Sequence, residues 1–227
     1  MQVKNKIIVI TGASNGIGKV LAQHLKAEGA QVFISGHKKE ELEKTAAELG
    51  VESFLADVRE EVQMQSLAKE VIEKFGVIDM WVNNAGVFHS FSSEDKFVDM
   101  EKAHNMMNTN FFGTLFGCRT ALHSMKSGYI VNILSTAGLD ASRAKNAKIY
   151  AATKWAVRGY TQAIRAQNDH VKILEVYPGG TQTGLYLDNR PESYDDYMKP
   201  EYVVEKIVTN LKEDEPEEEL IIRRPKA

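Results

Sequence analysis

The chain has 227 residues, 43% of them hydrophobic, with a formal net charge of −3 and a pI near 6.1. That length supplies one substantial core and is short for two full domains, so residues 1–227 are read as a single domain. There is no basic field to draw in nucleic acid or an anionic membrane, no apolar run long enough to span a bilayer, and no apolar signal stretch in the opening MQVKNK. A cytoplasmic protein with a small-molecule ligand is expected. The single cysteine, Cys118, excludes an internal disulfide and a cysteine metal cluster.

In chain order, the first element is the β-branched run Ile7, Ile8, Val9 and Ile10, which enters a turn carrying Gly12, Gly16 and Gly18. A run this short, bounded by glycine, predicts an inner parallel strand. Ile17, Val20, Leu21, His24 and Leu25 then recur at helical spacing, and Gly29 supplies a stop. Strand, glycine turn and helix N-terminus together make a place where a pyrophosphate can approach backbone N–H groups without meeting a Cβ. The spacing is G-x-x-x-G-x-G rather than the G-x-G-x-x-G of the usual dinucleotide fingerprint, and taken alone it also fits a tight turn with no ligand.

A second strand at 32–34 ends at Ser35-Gly36-His37, and a charged amphipathic helix at 39–49 closes on Gly50. A third strand at 53–56 ends at Asp57-Val58, followed by a helix marked by Val62, Leu67, Val71, Ile72 and Phe75 that stops at Gly76. Met80-Trp81-Val82 leads into Asn83-Asn84-Ala85-Gly86; a loop through Asp95 precedes a long helical segment from about 98 to 122 that contains Asn110. A strand at 129–134, a helix at 149–168 and a strand at 171–176 running to Pro178-Gly179 continue the alternation. Residues 184–199 are polar and tyrosine-rich without a period, and a loop of that length predicts a lid over a site. Pro200-Glu201 opens a last helix to Leu211, and an acidic run at 213–219 precedes a short strand at 220–222. The alternation implies an α/β fold: a doubly wound (Rossmann) parallel sheet of about seven strands with helices on both faces.

Open sheets of this kind bind ligands at the carboxyl ends of their strands, where Gly12 to Gly18, Gly36-His37, Asp57, Asn84 to Gly86, Ser135 and Pro178-Gly179 fall. Tyr150 and Lys154, four apart on a predicted helix, put a phenol and an ammonium on one face. A cation beside a phenol lowers its pKa from about 10, which makes the pair an acid–base device. The pattern Y-x-x-x-K occurs twice, and chance alone supplies about 0.7 such pairs in this composition. Tyr202 and Lys206, on the late helix, are read as a packed tyrosine and a surface lysine. Tyr150 differs because Ser135 stands 15 residues earlier at a strand end, placed either to hydrogen-bond a substrate carbonyl or to cap a turn. The six histidines show no metal-ligand spacing, so no metal is expected.

Taken together, TGASNGIG, NNAG, Asn110, ILSTAG, YAATK and PGGTQT resemble the motifs of the short-chain dehydrogenase/reductases, in the expected order over residues 6 to about 183. Met198-Lys199-Pro200-Glu201 onward also looks family-like. The resemblance implies NAD(P)H-dependent interconversion of a carbonyl and a secondary alcohol. By it, Tyr150 is the general acid/base, Lys154 lowers its pKa and binds the nicotinamide ribose, Ser135 orients the carbonyl, and Asn110 supports a water proton relay. Leu134 stands where the family often has a second serine. For the cofactor, the resemblance assigns Gly12, Ser14, Asn15, Gly16, Ile17 and Gly18 to the phosphate loop, Asp57 to the adenine amino group beside Val58, and Asn84, Ala85 and Gly86 to the adenine-ribose side. Pro178, Gly179, Thr181 and Thr183 complete the cofactor-binding set, with Thr183 at the carboxamide end.

NADPH is expected in preference to NADH, because Gly36 occupies the place of an acidic residue that would bind the ribose hydroxyls of NAD, and His37, Lys38 and Lys39 follow with donors for a 2′-phosphate. Asn15 and His37 stand where NADP-preferring relatives often carry basic residues, which makes the expected preference modest. The family's four-helix interface implies a homodimer or homotetramer through Phe111, Phe112, Leu115, Phe116, Trp155 and Val157; the plainer reading makes all six core. A non-catalytic dinucleotide-binding regulatory protein on the same fold is the alternative function, because fold does not fix chemistry.

Overall fold

The computed structural model describes residues 2–91, 98–143, 146–186 and 190–225. In chain order its elements are β1 (Ile7–Thr11), α1 (Gly16–Ala27), β2 (Gln31–Gly36), α2 (Lys39–Leu49), β3 (Glu52–Leu55), α3 (Glu61–Phe75), β4 (Met80–Asn83) and α4 (Met100–Met106). They continue with α5 (Gly113–Ser124), β5 (Gly128–Ile133), α6 (Lys148–Ala166), β6 (Val171–Pro178), α7 (Pro200–Lys212) and β7 (Glu219–Ile222). The strands form one seven-stranded parallel sheet in the order β3-β2-β1-β4-β5-β6-β7, the doubly wound arrangement that the alternation predicts. Between β1 and β4 the winding reverses, and the carboxyl edge of such a switch point is where open sheets hold ligands.

The β1 run is apolar throughout because both faces of the strand are covered. Ile8 and Ile10 join Leu21, Leu25, Val203 and Leu211 in one core cluster. Ile7 and Val9 face the opposite way, into a cluster with Leu67, Val71, Trp81 and Cys118. No helix among the described residues is long and apolar enough to cross a membrane.

Two segments depart from the simple reading. The helix predicted over 98–122 starts at Met100, where the Asp99 carboxylate accepts hydrogen bonds from the N–H groups of Glu101 (3.1 Å) and Lys102 (3.2 Å). It then widens into a π-helical turn at Met107–Phe112 before α5 resumes the normal pitch. Such turns interrupt the i→i−4 ladder and cluster at functional sites, and this one contains Asn110. Of the preceding loop through Asp95, residues 92–97 lie outside the described residues.

The lid-like stretch at 184–199 is tied down over its described part. Thr181 bridges Met198 in parallel pairing, and the Gln182 side-chain amide donates to the carbonyls of Tyr194 (3.3 Å) and Asp195 (2.9 Å). Gly184–Tyr186 and Tyr194–Asp196 form short 3-10 turns; residues 187–189 within the stretch lie outside the described set.

Candidate functional site

The turn between β1 and α1 is braced by side chains from two other elements. The Thr11 hydroxyl accepts hydrogen bonds from the N–H groups of Asn84 (3.1 Å) and Ala85 (3.3 Å), and the Asn84 amide donates to the carbonyls of Thr11 and Gly12, both at 2.9 Å. From α2, the Thr45 hydroxyl donates to the Ser14 carbonyl at 2.9 Å. The bracing explains two glycines differently from the sequence reading. A Cβ on Gly12, whose φ is +63°, would stand 2.5 Å from the Ala85 Cα, and one on Gly18 would stand 2.4 Å from the Asn84 Nδ2. Close approach of the chain after β4 therefore requires glycine at both positions. The first turn of α1 carries no acidic residue and no side-chain cap, so its N–H groups are available to an anion.

A cavity of about 610 Å³ opens at the carboxyl edge of the sheet, well within the range of ligand sites. On the β1, β2 and β3 side it is lined by Gly12, Ser14, Asn15, Gly16, Ile17, Gly36, His37, Lys38, Asp57 and Val58. Asn84, Ala85 and Gly86 lie in the middle, and Ser135, Tyr150, Lys154, Pro178, Gly179, Thr181 and Thr183 line the β5 and β6 side. Of the residues picked from the sequence only Gly18 and Asn110 do not line it. Glu41, Arg59, Phe88, His89, Leu185 and Tyr186 also line it and were not picked.

On the β3 side Asp57 is engaged by a neighbour. Arg59 Nε lies 3.0 Å from both of its carboxylate oxygens and Arg59 Nη2 lies 2.5 Å from one. This guanidinium holds the Asp57 carboxyl below the usual carboxylate range against the opposing effect of burial. Lys38 pairs with Glu41 at 3.0 Å and Lys39 with Glu43 at 3.8 Å, both on exposed surface.

On the β5 side, α6 presents Tyr150 and Lys154, which are only 8% and 4% exposed. The Tyr150 phenol and the Ser135 side chain both line the cavity, and the serine acts on the phenol to lower its pKa. Ser135 Oγ also accepts from the Ala137 N–H at 3.2 Å, so it caps the turn after β5 as well as facing the tyrosine. Lys154 Nζ donates to the Ile133 carbonyl at 2.9 Å and lies 5.7 Å from the centre of the Tyr150 ring. Burial pushes the Tyr150 pKa up to about 12, with the Ser135 side chain opposing it. Burial alone pulls Lys154 down to about 8. Removal of water disfavours phenolate and ammonium alike.

Asn110 is fully buried behind this pair. Its Nδ2 donates to the Val87 carbonyl (3.0 Å) and to Thr153 Oγ1 (3.1 Å), and its Oδ1 accepts from the Val87 N–H (2.8 Å). The Thr153 hydroxyl donates to the Tyr150 carbonyl at 2.7 Å. A Cβ on Gly86 would lie 3.3 Å from Asn110 Oδ1 and 4.0 Å from Lys154 Nζ, so the amide and the ammonium flank the same glycine. The structure thus gives the amide of Asn110 to the chain after Gly86 and to α6. Thr11 and Thr153 escaped the sequence reading, although each is embedded in a motif already singled out, TGASNGIG and YAATK.

A family model described as short chain dehydrogenase matches residues 6–193. The chain belongs to the short-chain dehydrogenase/reductase family. An uncharacterized oxidoreductase of Staphylococcus aureus (strain MRSA252) is 33% identical over 195 residues, covering 82% of this chain and 83% of the relative. Among solved structures, an alcohol dehydrogenase from the archaeon Thermococcus sibiricus complexed with 5-hydroxy-NADP superposes with a TM-score of 0.85 at 30% identity, covering 98% and 99% of the two chains. A 3-ketoacyl-(acyl-carrier-protein) reductase from Brucella melitensis complexed with NADH gives a TM-score of 0.87 at 24% identity, covering 97% of each chain, and shares the fold. This short-chain dehydrogenase/reductase is accordingly an oxidoreductase-family protein on a nucleotide-binding parallel sheet.

Proposed function

We propose that the protein interconverts a small-molecule carbonyl and a secondary alcohol in the cytoplasm, using NADPH in preference to NADH. One observation carries the reading: a single cavity joins the glycine turn at the α1 N-terminus to a phenol and an ammonium that are 8% and 4% exposed. The residues present fit a nicotinamide dinucleotide. Free N–H groups at the start of α1 suit the pyrophosphate, and Gly36, His37 and Lys38 border the place of the adenine ribose. Thr181, Thr183 and the backbone at Pro178-Gly179 border the carboxamide end.

When bound, the nicotinamide supplies hydride for reduction or accepts it for oxidation. The chain's own residues manage the proton and the geometry. The Ser135 hydroxyl, beside the Tyr150 phenol, holds the carbonyl oxygen. A phenol whose pKa is pushed up to about 12 keeps its proton at neutral pH, so Tyr150 stands ready to protonate that oxygen in the reductive direction. Lys154 gives one N–H to Ile133 and retains two for ribose hydroxyls, and its charge stabilises the phenolate as it forms. Asn110 acts as a positioning residue, fixing Val87 and, through Thr153, the first turn of α6.

The coenzyme preference rests on Gly36, which offers no carboxylate to repel a 2′-phosphate, and on His37 and Lys38 in the cavity wall. Glu41, paired with Lys38 at 3.0 Å, moderates it. A direct test is the ratio of kcat/KM for NADPH and NADH with a panel of carbonyls. Gly36→Asp should move the ratio at least about tenfold towards NADH, the size of one charge-assisted contact. A Cβ at Gly36 would lie 2.6 Å from Ser14 Oγ, so the substitution is combined with Ser14→Ala to remove the crowding. Wild-type protein that works better with NADH would falsify the assignment.

We also infer a homodimer or homotetramer built on α5 and α6. Phe112 and Trp155 remain 41% and 44% exposed, as an apolar contact surface between copies requires. Val157, also expected there, is 1% exposed and belongs to the core beside Leu134 and Tyr177. Light scattering at micromolar concentration should return at least the dimer mass, and Phe112→Glu with Trp155→Glu should shift it to the monomer.

A further inference from the structure

Beside the tyrosine and lysine, the cavity has a wall made of rings. Phe88, two residues beyond Gly86, lies with its ring centre 5.3 Å from that of Tyr150 at 78° and 5.3 Å from that of Tyr186 at 59°. Tyr186 is backed by Tyr194 (6.1 Å) and Tyr197 (5.5 Å). Phe88, Leu185 and Tyr186 line the cavity, whereas Tyr194 and Tyr197 stand behind them.

That backing is fixed to the sheet. The Tyr194 hydroxyl donates to the Thr183 carbonyl at 3.2 Å. A Cβ on Gly180 would stand 2.8 Å from three atoms of the Tyr197 ring, so this ring sits directly on the backbone that leaves β6. Tyr186 is thus held by rings that are themselves anchored, and its surface is preformed rather than assembled by a loose loop.

Polar groups near the wall already have partners. Lys154 donates to the Ile133 carbonyl at 2.9 Å, and His89 Nε2 lies 3.2 Å from the side-chain nitrogen of Asn105. The carboxylates that line the cavity, Glu41 and Asp57, lie on the β2 and β3 side, as does the Arg59 guanidinium. Among the described residues no carboxylate or guanidinium lines the cavity beside Phe88 and Tyr186. The wall itself carries no charge and offers ring faces and edges, so a flat apolar ring would gain edge-to-face contacts there.

We propose that the substrate class is a neutral aryl carbonyl compound, or the matching aryl carbinol, with its ring against Phe88 and Tyr186 and its oxygen at Ser135 and Tyr150. This deepens the carbonyl–alcohol reading and rests on it. Phe88 and Tyr186 then set specificity, with Tyr194, Tyr197 and Gly180 as their support.

The test uses acetophenone, butan-2-one and pyruvate as probes with the full-length protein and NADPH. Wild type should turn over acetophenone with a kcat/KM at least about tenfold above butan-2-one and above pyruvate, the scale of one ring contact plus its burial. Phe88→Ala and Tyr186→Ala should each reduce the acetophenone-to-butanone ratio about fivefold or more, through KM, with NADPH affinity retained. Tyr186→Phe, which keeps the ring, should lie nearer wild type than Tyr186→Ala. Pyruvate as the best substrate, or an unchanged ratio in both alanine variants, overturns the aryl assignment while leaving carbonyl reduction in place. Saturation-transfer NMR on the NADPH-loaded protein separates the two readings in the other direction. Acetophenone that binds to wild type, and binds more weakly to Tyr186→Ala, supports the ring wall even without turnover; no binding overturns it.

Discussion

Two tyrosine–lysine pairs with identical spacing sit on the consecutive helices α6 and α7. The Nζ of Lys154 is 5.7 Å from the ring centre of Tyr150, and the Nζ of Lys206 is 5.5 Å from that of Tyr202. Their internal geometry is therefore nearly the same. What differs is everything around them. Lys154 is buried and donates to the end of β5, while Lys206 is exposed on α7. Tyr150 meets a strand-end serine in the cavity, while Tyr202 packs its ring partly against the core that α7 shares with α1. One turn on, the residue after the first tyrosine is buried Thr153, and after the second it is exposed Glu205. The spacing only brings a phenol and an ammonium together. On the function proposed above, burial, the serine and the brace to Asn110 are what turn such a pair into a proton-transfer device.

The largest expected contrast is in turnover. Tyr150→Phe should reduce kcat by about 10²-fold or more, as loss of an acid/base group does, with NADPH binding retained. Tyr202→Phe should leave kcat within about twofold. A more damaging Tyr202→Phe at unchanged fold would show that the wrong pair had been chosen.

Next in size is the effect of burying the Lys154 ammonium. Its pKa of about 8 in the folded chain lies below the value near 10.4 expected when unfolded. Between those values the unfolded state binds the extra proton, so stability rises with pH across about pH 8 to 10. Below about pH 8 both states are protonated and the burial penalty is present in full. The buried Cys118 thiol, pushed up to about 12, acts in the opposite sense over the same window, so the lysine is read by difference: urea unfolding of wild type should gain roughly 2–3 kcal/mol more across it than Lys154→Met does, and Lys206→Met should follow wild type. A slope that survives Lys154→Met belongs to another group.

The smallest contrast compares the residues one turn beyond each tyrosine. Thr153→Val leaves the buried Asn110 amide without one of its acceptors and should destabilise by about 1–3 kcal/mol, whereas Glu205→Val should fall within about 0.5 kcal/mol of wild type. Denaturant midpoints at constant m-value decide between them.

The parallel sheet and the strand-end residues were legible because they are written in local periods and glycine stops. Ile7 to Ile10, the stop at Gly50 and the stop at Gly76 each announce themselves within one element. The braces were not legible, because their partners are far apart in the chain. Thr11 and Asn84 are 73 residues apart, and Asn110 and Thr153 are 43 apart. Gly18 illustrates the difference: a Cβ there would meet the Asn84 side chain, a constraint that no local pattern reveals. The ring wall failed for the same reason, since Phe88 and Tyr186 belong to separate loops and meet only in the fold. The π-turn around Asn110 leaves no hydrophobic period of its own to be read.

Hydride transfer to a carbonyl under the control of Tyr150 is the proposal on which the others depend. The most direct measurement supplies NADPH deuterated at the transferable position, with acetophenone and a panel of other carbonyls, and reads the alcohol product by mass spectrometry. The account predicts one deuterium on the carbinol carbon with wild-type protein, and at least about 10²-fold slower label transfer with Tyr150→Phe. Bound NADPH that is never oxidised by any carbonyl in the panel would contradict it and mark the protein as a dinucleotide-binding regulator.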